Sequence, residues 1–257
     1  IAVHPDEPYF LTMRAQSLLA AGDADGALEH LARAARGAPD YGLPLCMMGD
    51  ILFDQKRAPE GAVAHWTDAV ARDPKDVRPQ MRLSDWYLAS RQFERAIDVS
   101  QRALEIDPRL EWAHLNIARA YAEMGQLELA IDWTKRAIRV NSRSVDALDL
   151  LGLARLSRGE PGEAAKIFEK AIRIRPTDAV LTHAGIAHAH MKNAERAIAL
   201  LERALEMNPR NPEANYQIGL LLEGRGDRGR GVEHLRRAAR LGFPPAEQAL
   251  RARGAAW

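Results

Sequence analysis

Prolines recur along this chain at an almost constant interval. Pro5, Pro39, Pro74, Pro108, Pro176, Pro209 and Pro244 are separated by 34, 35, 34, 68, 33 and 35 residues, and the 68 is two periods with Ser142 in the missing place. A fixed period of this length restricts a chain to stacked supersecondary units, each of which buries its apolar face on the next.

A second register lies inside the first. Small residues seven apart occur at Ala27/Ala34, Ala62/Ala69, Ala96/Ala103, Ala130/Ala137, Ala164/Ala171 and Ala197/Ala204, with Gly231/Ala238 last. Seven residues is nearly two helical turns, so each pair lies on one face of one helix, where small side chains let a neighbouring helix approach closely. Upstream of each pair is another segment of helical period. Between the two stand turn signals at Gly22-Asp23, Lys56-Arg57, Gly125-Gln126, Gly159-Glu160, Asn193 and Gly226-Asp227. No segment shows the two-residue alternation of a strand. Each unit therefore reads as helix, short turn, helix, and a proline-marked turn into the next unit.

Composition narrows the class of function. The chain has 257 residues, 47% hydrophobic and 28% charged, and Lys+Arg 36 against Asp+Glu 35 leaves a net charge of +1. Without a basic excess there is little counterion release to gain, so nucleic acid is not an expected partner. Apolar runs are short and interrupted by charge, which argues against membrane insertion and for a soluble chain. One cysteine, Cys46, gives no disulfide framework and no cysteine-rich metal site, and it leaves both a cytoplasmic and a periplasmic address open. The 30 Arg against 6 Lys, with abundant Ala, resembles GC-rich bacterial coding.

These residues resemble the tetratricopeptide repeat, a helical hairpin of about 34 residues. In DALDLLGLARLSRGEPGEAAKIFEKAIRIRP, the residues Leu148, Leu151, Gly152, Ala164, Phe168, Ala171 and Pro176 fall on the family's motif columns. The likeness covers seven units, 8–42, 43–76, 77–110, 111–144, 145–177, 178–211 and 212–245. Departures are local: Arg155 and His188 replace the tyrosines seen as Tyr87 and Tyr121, and Ser100 and Thr134 stand where Trp66 and Phe168 stand elsewhere. The resemblance implies an all-α, right-handed superhelical solenoid of about seven hairpins. Residues 246–257 follow as a C-terminal cap, in which Ala246, Ala249 and Leu250 face inward and Glu247, Arg251 and Arg253 outward. Residues 1–7 read as the tail of a truncated preceding repeat, so Ile1 and Val3 are expected against the first hairpin, and an open N-terminal end is a candidate surface for self-association.

The family likeness also implies that first helices line a concave face. Counting back 18, 15, 14 and 11 residues from the first small residue of each pair selects one face of each first helix. The candidate peptide-binding residues on these columns are Tyr9, Met13, Met47, Met48, Arg78, Met81, Arg82, Trp112, Leu115, Asn116, Arg119, Asp146, Asp149, His183 and Tyr216. Methionines repack and aromatic rings anchor at low entropic cost, so such a stripe suits an adaptable peptide groove. Arg78, Arg82, Asn116 and Arg119 are all donors and suit an acidic side chain or carboxylate. The full carboxylate clamp of some family members is not reproduced, since Met48, Thr12 and Gln16 occupy its other places. Competing readings are that Met47, Leu150 and Leu153 pack between repeats and that the arginines pair internally, Arg82 with Asp85 and Arg119 with Glu123 or Asp149.

His183, His188 and His190 do not share one face closely enough to hold a metal. Cys46 reads as a buried apolar residue, and no phosphate loop, nucleophile elbow or recurrent acid pair is present. The expected function is therefore a non-enzymatic scaffold for protein or peptide partners, without cofactor or metal. Alternatives are a substrate-docking region of a larger enzyme, such as a glycosyltransferase or sulfotransferase, and a self-assembling structural scaffold.

Overall fold

The structure, a computed structural model, describes residues 7–254. The chain divides into two compact units, Ile1–Met124 and Gly125–Trp257. The expectation for Ile1 and Val3 falls outside the described residues. Those described form fifteen α-helices and no strand. The first unit contains α1 (Pro8–Ala20), α2 (Ala24–Gly37), α3 (Leu43–Asp54), α4 (Pro59–Arg72), α5 (Val77–Ala89), α6 (Phe93–Ile106) and α7 (Glu111–Glu123). The second contains α8 (Leu127–Val140), α9 (Val145–Ser157), α10 (Pro161–Ile174), α11 (Asp178–His190), α12 (Ala194–Met207), α13 (Pro212–Gly224), α14 (Arg228–Arg240) and α15 (Pro244–Ala252). Within the first unit α1/α2, α3/α4 and α5/α6 pack as hairpins, with α7 against α5 and α6. In the second, α9/α10, α11/α12 and α13/α14 do the same, α8 packs on α9, and α15 covers α14.

The turns explain why the hairpins close. A residue with positive φ stands in each helix-to-helix turn within a repeat: Gly22, Arg57, Arg91, Gly125, Gly159, Lys192 and Gly226. Glycine adopts this left-handed region without steric cost, whereas Arg57 (φ 51°), Arg91 (58°) and Lys192 (59°) hold it against the clash between Cβ and backbone. The turn from α5 to α6, at Ser90 to Gln92, has no glycine and is the one turn within a repeat that the sequence signals above pass over. Side chains cap several helix starts: Asp23 accepts from the Gly26 N–H at 2.8 Å, Ser144 from Ala147 at 3.1 Å and Asn211 from Ala214 at 2.9 Å.

Close packing follows from the small residues. Ala27, Ala34, Ala62, Ala69, Ala96, Ala103, Ala130, Ala137, Ala164, Ala171, Ala197 and Ala204 have no solvent exposure. On four of the first helices a glycine receives a large buried side chain of the second. A Cβ at Gly49 would lie 2.4 Å from the Trp66 ring, at Gly152 2.4 Å from Phe168, at Gly185 2.7 Å from Leu201 and at Gly219 2.8 Å from Leu235. All four of these large side chains are buried. The α5/α6 hairpin is filled differently. Ser84 and Ser100 replace the glycine and the large residue, and their buried Oγ atoms are 2.7 Å apart. The Asn116 amide of α7 donates to Ser84 Oγ at 3.0 Å and to Asp85 Oδ1 at 2.8 Å.

At the C-terminal end, Ala246 and Leu250 of α15 are buried on Leu235, Ala238 and Ala239. Arg253 is exposed, yet it is not free in solvent. It reaches back to α13 and forms a two-pronged ion pair with Glu223 at 2.6 to 2.9 Å, a geometry that a guanidinium fork favours over free hydration.

Candidate functional site

In the Ile1–Met124 unit the first helices are cross-linked in a row. Arg82 of α5 reaches α3, with Nε 2.9 Å from Asp50 Oδ1 and Nη2 3.4 Å from Asp54 Oδ2, and Asn116 ties α7 to α5. Two adjoining cavities lie along α1, α3 and α5. One of about 220 Å³ is lined by Leu19, Met47, Asp50, Ile51, Asp54 and Gln55. The other, about 280 Å³, is lined by Gln16 of α1, by Leu43, Cys46, Met47 and Asp50 of α3, and by Arg78, Met81 and Arg82 of α5. Met47 and Asp50 border both. The structure thus brings together Met47, Arg78, Met81 and Arg82 from the candidate set.

Others stand elsewhere. Met48 is packed against apolar clusters of α1/α2 and α3/α4. The reason is one extra residue in the turn after α3, which has four residues, 55–58, where the other turns within repeats have three. Gly49 consequently stands 13 residues before Ala62, while Ala15, Ser84, Gly152, Gly185 and Gly219 stand 12 before their partners. Counting back through that turn is off by one, and the residues equivalent to Arg78, Met81, Arg82 and Asp85 are Leu43, Cys46, Met47 and Asp50. Three of these, Leu43, Cys46 and Asp50, were missed for that reason, and referring α3 to its own Gly49 recovers them.

Leu115 and Asn116 are buried, so neither offers surface to a ligand. Both hydrogens of the Asn116 amide are donated internally. Tyr9 and Met13 are exposed on α1, at 57% and 46%. Trp112 is half-buried, and Arg119 is exposed in a separate depression with Leu88, Phe93 and the Arg91–Glu123 pair.

Two of these arginines are paired, Arg78 with Asp76 and Arg82 with partners other than the one expected. Arg78 donates from Nε and Nη2 to Asp76 at 2.8 and 2.7 Å, a contact that raises its already high pKa further. Arg82 bridges Asp50 and Asp54 of the preceding first helix instead of Asp85 in its own. Asp50 also accepts from the Trp66 indole at 3.1 Å. Burial outweighs these contacts and raises its pKa. The Cys46 thiol is pushed up to about 12, by burial first and then by Asp50 and Asp76. It stays a protonated, apolar part of the wall.

In the Gly125–Trp257 unit, Asp149 and His183 meet across α9 and α11, with Nδ1 to Oδ1 at 2.7 Å. The His183 ring lies 5.8 Å from that of Phe168. Burial opposes its protonation, but the Asp149 carboxylate, with Glu213 and Asp178 farther off, prevails and raises its pKa. Asp146 is exposed beside this pair in sequence. Tyr216 packs at 5.3 Å on Phe243, within the apolar cluster under α15. Among the described residues no group of three or more His, Cys, Asp or Glu is placed to hold a metal, and no helix is long and apolar enough to cross a membrane.

Comparison with known proteins bears on the family. A tetratricopeptide-repeat profile matches residues 1–42, 46–111 and 184–242, and two further profiles of the same description match 87–153 and 147–180. The chain is 26% identical over 169 residues to anaphase-promoting complex subunit 3 of Schizosaccharomyces pombe (strain 972 / ATCC 24843), covering 65% of this chain and 25% of that protein. It is 31% identical over 93 residues to the photosystem I assembly protein Ycf3 of Synechococcus sp. (strain WH7803), covering 34% of this chain and 54% of that one. It therefore spans between a quarter and about half of the length of these relatives. A tetratricopeptide repeat protein from Parabacteroides merdae ATCC 43184 superposes with a TM-score of 0.76 at 19% identity, over 95% of this chain and 97% of that one, which shows the likeness of fold. Matched over well over half of its residues by one profile, the chain belongs to the tetratricopeptide-repeat family.

Proposed function

We propose that this chain is a binding scaffold that holds a segment of a partner protein along the first-helix row of the Ile1–Met124 unit, with an apolar side chain of the partner seated against Met47 and Met81. The observation that carries this reading is the pair of adjoining cavities sharing Met47 and Asp50. Half-buried thioethers between helices whose charges are already paired make a surface that deforms around an apolar group without stranding an ion. Arg78 and Arg82 would have to exchange Asp76, Asp50 and Asp54 for a ligand carboxylate, and exposed exchanges of this kind are worth about 0–1 kcal/mol. Affinity then rests on apolar contact, and an acidic group on the partner adds selectivity only. The matching relatives are named for a complex and for an assembly task, which favours a binding role over a catalytic one.

The test is peptide selection on the intact protein from a displayed random library, followed by calorimetric titration of the selected peptides. Met81→Glu places a charge in the second cavity and is expected to weaken them about tenfold or more. Selected peptides that bind Met81→Glu and the natural chain equally would place the partner surface elsewhere.

A further inference from the structure

Away from the first-helix row, the same unit has a further cavity, of about 270 Å³, between α4, α5 and α6. Its walls are apolar, from Val70 of α4, Leu83 and Tyr87 of α5 and Val99 of α6. Gln80 also lines it, and this side chain is 3% exposed. Its amide Nε2 donates to the Pro74 carbonyl at 3.0 Å. That bond fixes the orientation of the amide, because the flipped form would set two carbonyl oxygens against each other. Oε1 is then an acceptor, buried with no hydrogen-bond partner, and a donor in the cavity reaches it with a small shift of the Gln80 side chain. Buried acceptors are seldom left unmade, so a ligand that supplies a donor here gains more than one that supplies apolar surface alone.

The rim adds charge. Arg102 lines the cavity and is held by Asp98 at 3.0 Å. Arg95, exposed, also lines it and lies 5.8 Å from the centre of the Tyr87 ring. Two guanidiniums against one carboxylate leave the mouth locally positive. The cavity is near the lower end of ligand-site volumes, about the size that takes one large side chain.

We propose that this cavity receives the indole of a tryptophan from a partner protein segment, with an acidic residue next to it in sequence meeting Arg95. The indole has a broad apolar body and a single polar group that only donates, which matches an apolar wall with one orphaned acceptor. This site is separate from the Met47/Met81 cavities and does not depend on them.

The probe is the blocked dipeptide Ac-Trp-Glu-NH2, titrated into the full chain and followed by methyl NMR. Saturable shifts are expected at the Val70, Leu83 and Val99 methyls. Ac-Phe-Glu-NH2, which has no donor, should bind about threefold to tenfold more weakly, the weight of one net hydrogen bond. Val99→Phe should fill the cavity and remove the shifts. Because that change could disturb packing, Arg95→Glu on the surface serves as the second variant: it should reverse the preference between Ac-Trp-Glu-NH2 and Ac-Trp-Lys-NH2 while the methyl spectrum stays folded. Absence of saturable shifts at these three residues overturns the proposal. So does equal binding of the Trp and Phe peptides, or shifts confined to the Met47 and Met81 methyls.

Discussion

The hairpins α5/α6 and α9/α10 are built on the same backbone plan and filled by opposite means. In α9/α10, Gly152 leaves a notch that Phe168 fills with no exposure. In α5/α6, two serines share a hydrogen bond at the equivalent place, and Asn116 of the next first helix joins it. One interface is fixed by shape and dispersion, the other by a satisfied polar network with less side-chain volume. Their turns differ in the same spirit, Gly159 taking its left-handed conformation freely and Arg91 taking it under strain. A repeat therefore prescribes the distance between helices but not the chemistry that fills it.

The largest break in this comparison should come from Phe168→Ala. Loss of a buried aromatic ring that faces a glycine leaves a cavity nothing nearby can fill, so the cost is expected near 3–5 kcal/mol by denaturant unfolding. Ser100→Ala should cost much less, about 1 kcal/mol, because Ser84 Oγ keeps its bond from Asn116. Transplanting one solution into the other sharpens the contrast. Ser100→Phe alone should overpack against Ser84 by about 1–3 kcal/mol, and adding Ser84→Gly should recover most of that loss. Additive effects in the double-mutant cycle would show that the two positions do not share one space.

Smaller differences lie in the turns. Gly159→Ala should cost about 1 kcal/mol and Arg91→Gly should gain somewhat less than that, since glycine adds freedom to the unfolded chain. Equal and opposite melting shifts of near-zero size would mean that the positive φ stores no strain. The least effect is expected from pH at the α9/α11 contact. His183 carries a raised pKa in the folded state, so its contribution is complete below the ordinary value of 6.5 and is lost as pH rises through the folded value. Unfolding midpoints compared across that window should fall for the natural chain relative to His183→Gln, and parallel profiles would remove the Asp149–His183 pair from the account.

The period and the alanine pairs were legible in the sequence because each recurs at a fixed spacing along the chain. What escaped depends on residues brought together from different helices. Asp50 and Asp54 neutralise Arg82 only because α3 lies beside α5, and no spacing along the chain announces it. Arg253 turned out to be tied to Glu223, 30 residues upstream. The turn at Arg91 was passed over, although Arg91 holds the same left-handed conformation as Arg57. Met48 was misplaced for a simpler reason, a count carried across a turn of unequal length.

That four-residue turn after α3 bears on how such chains can change length. An added turn residue costs little in closure entropy, and the helices on either side keep their own hydrogen bonds and their own contacts. Trp66 still enters the notch at Gly49, so the insertion is absorbed where it occurs and α5 begins in phase. Each small residue on a first helix acts as a fresh origin for the coordinate that runs through its repeat. Insertions and deletions in the turns then accumulate without compounding, and the surface presented by one repeat can diverge while its neighbours keep theirs.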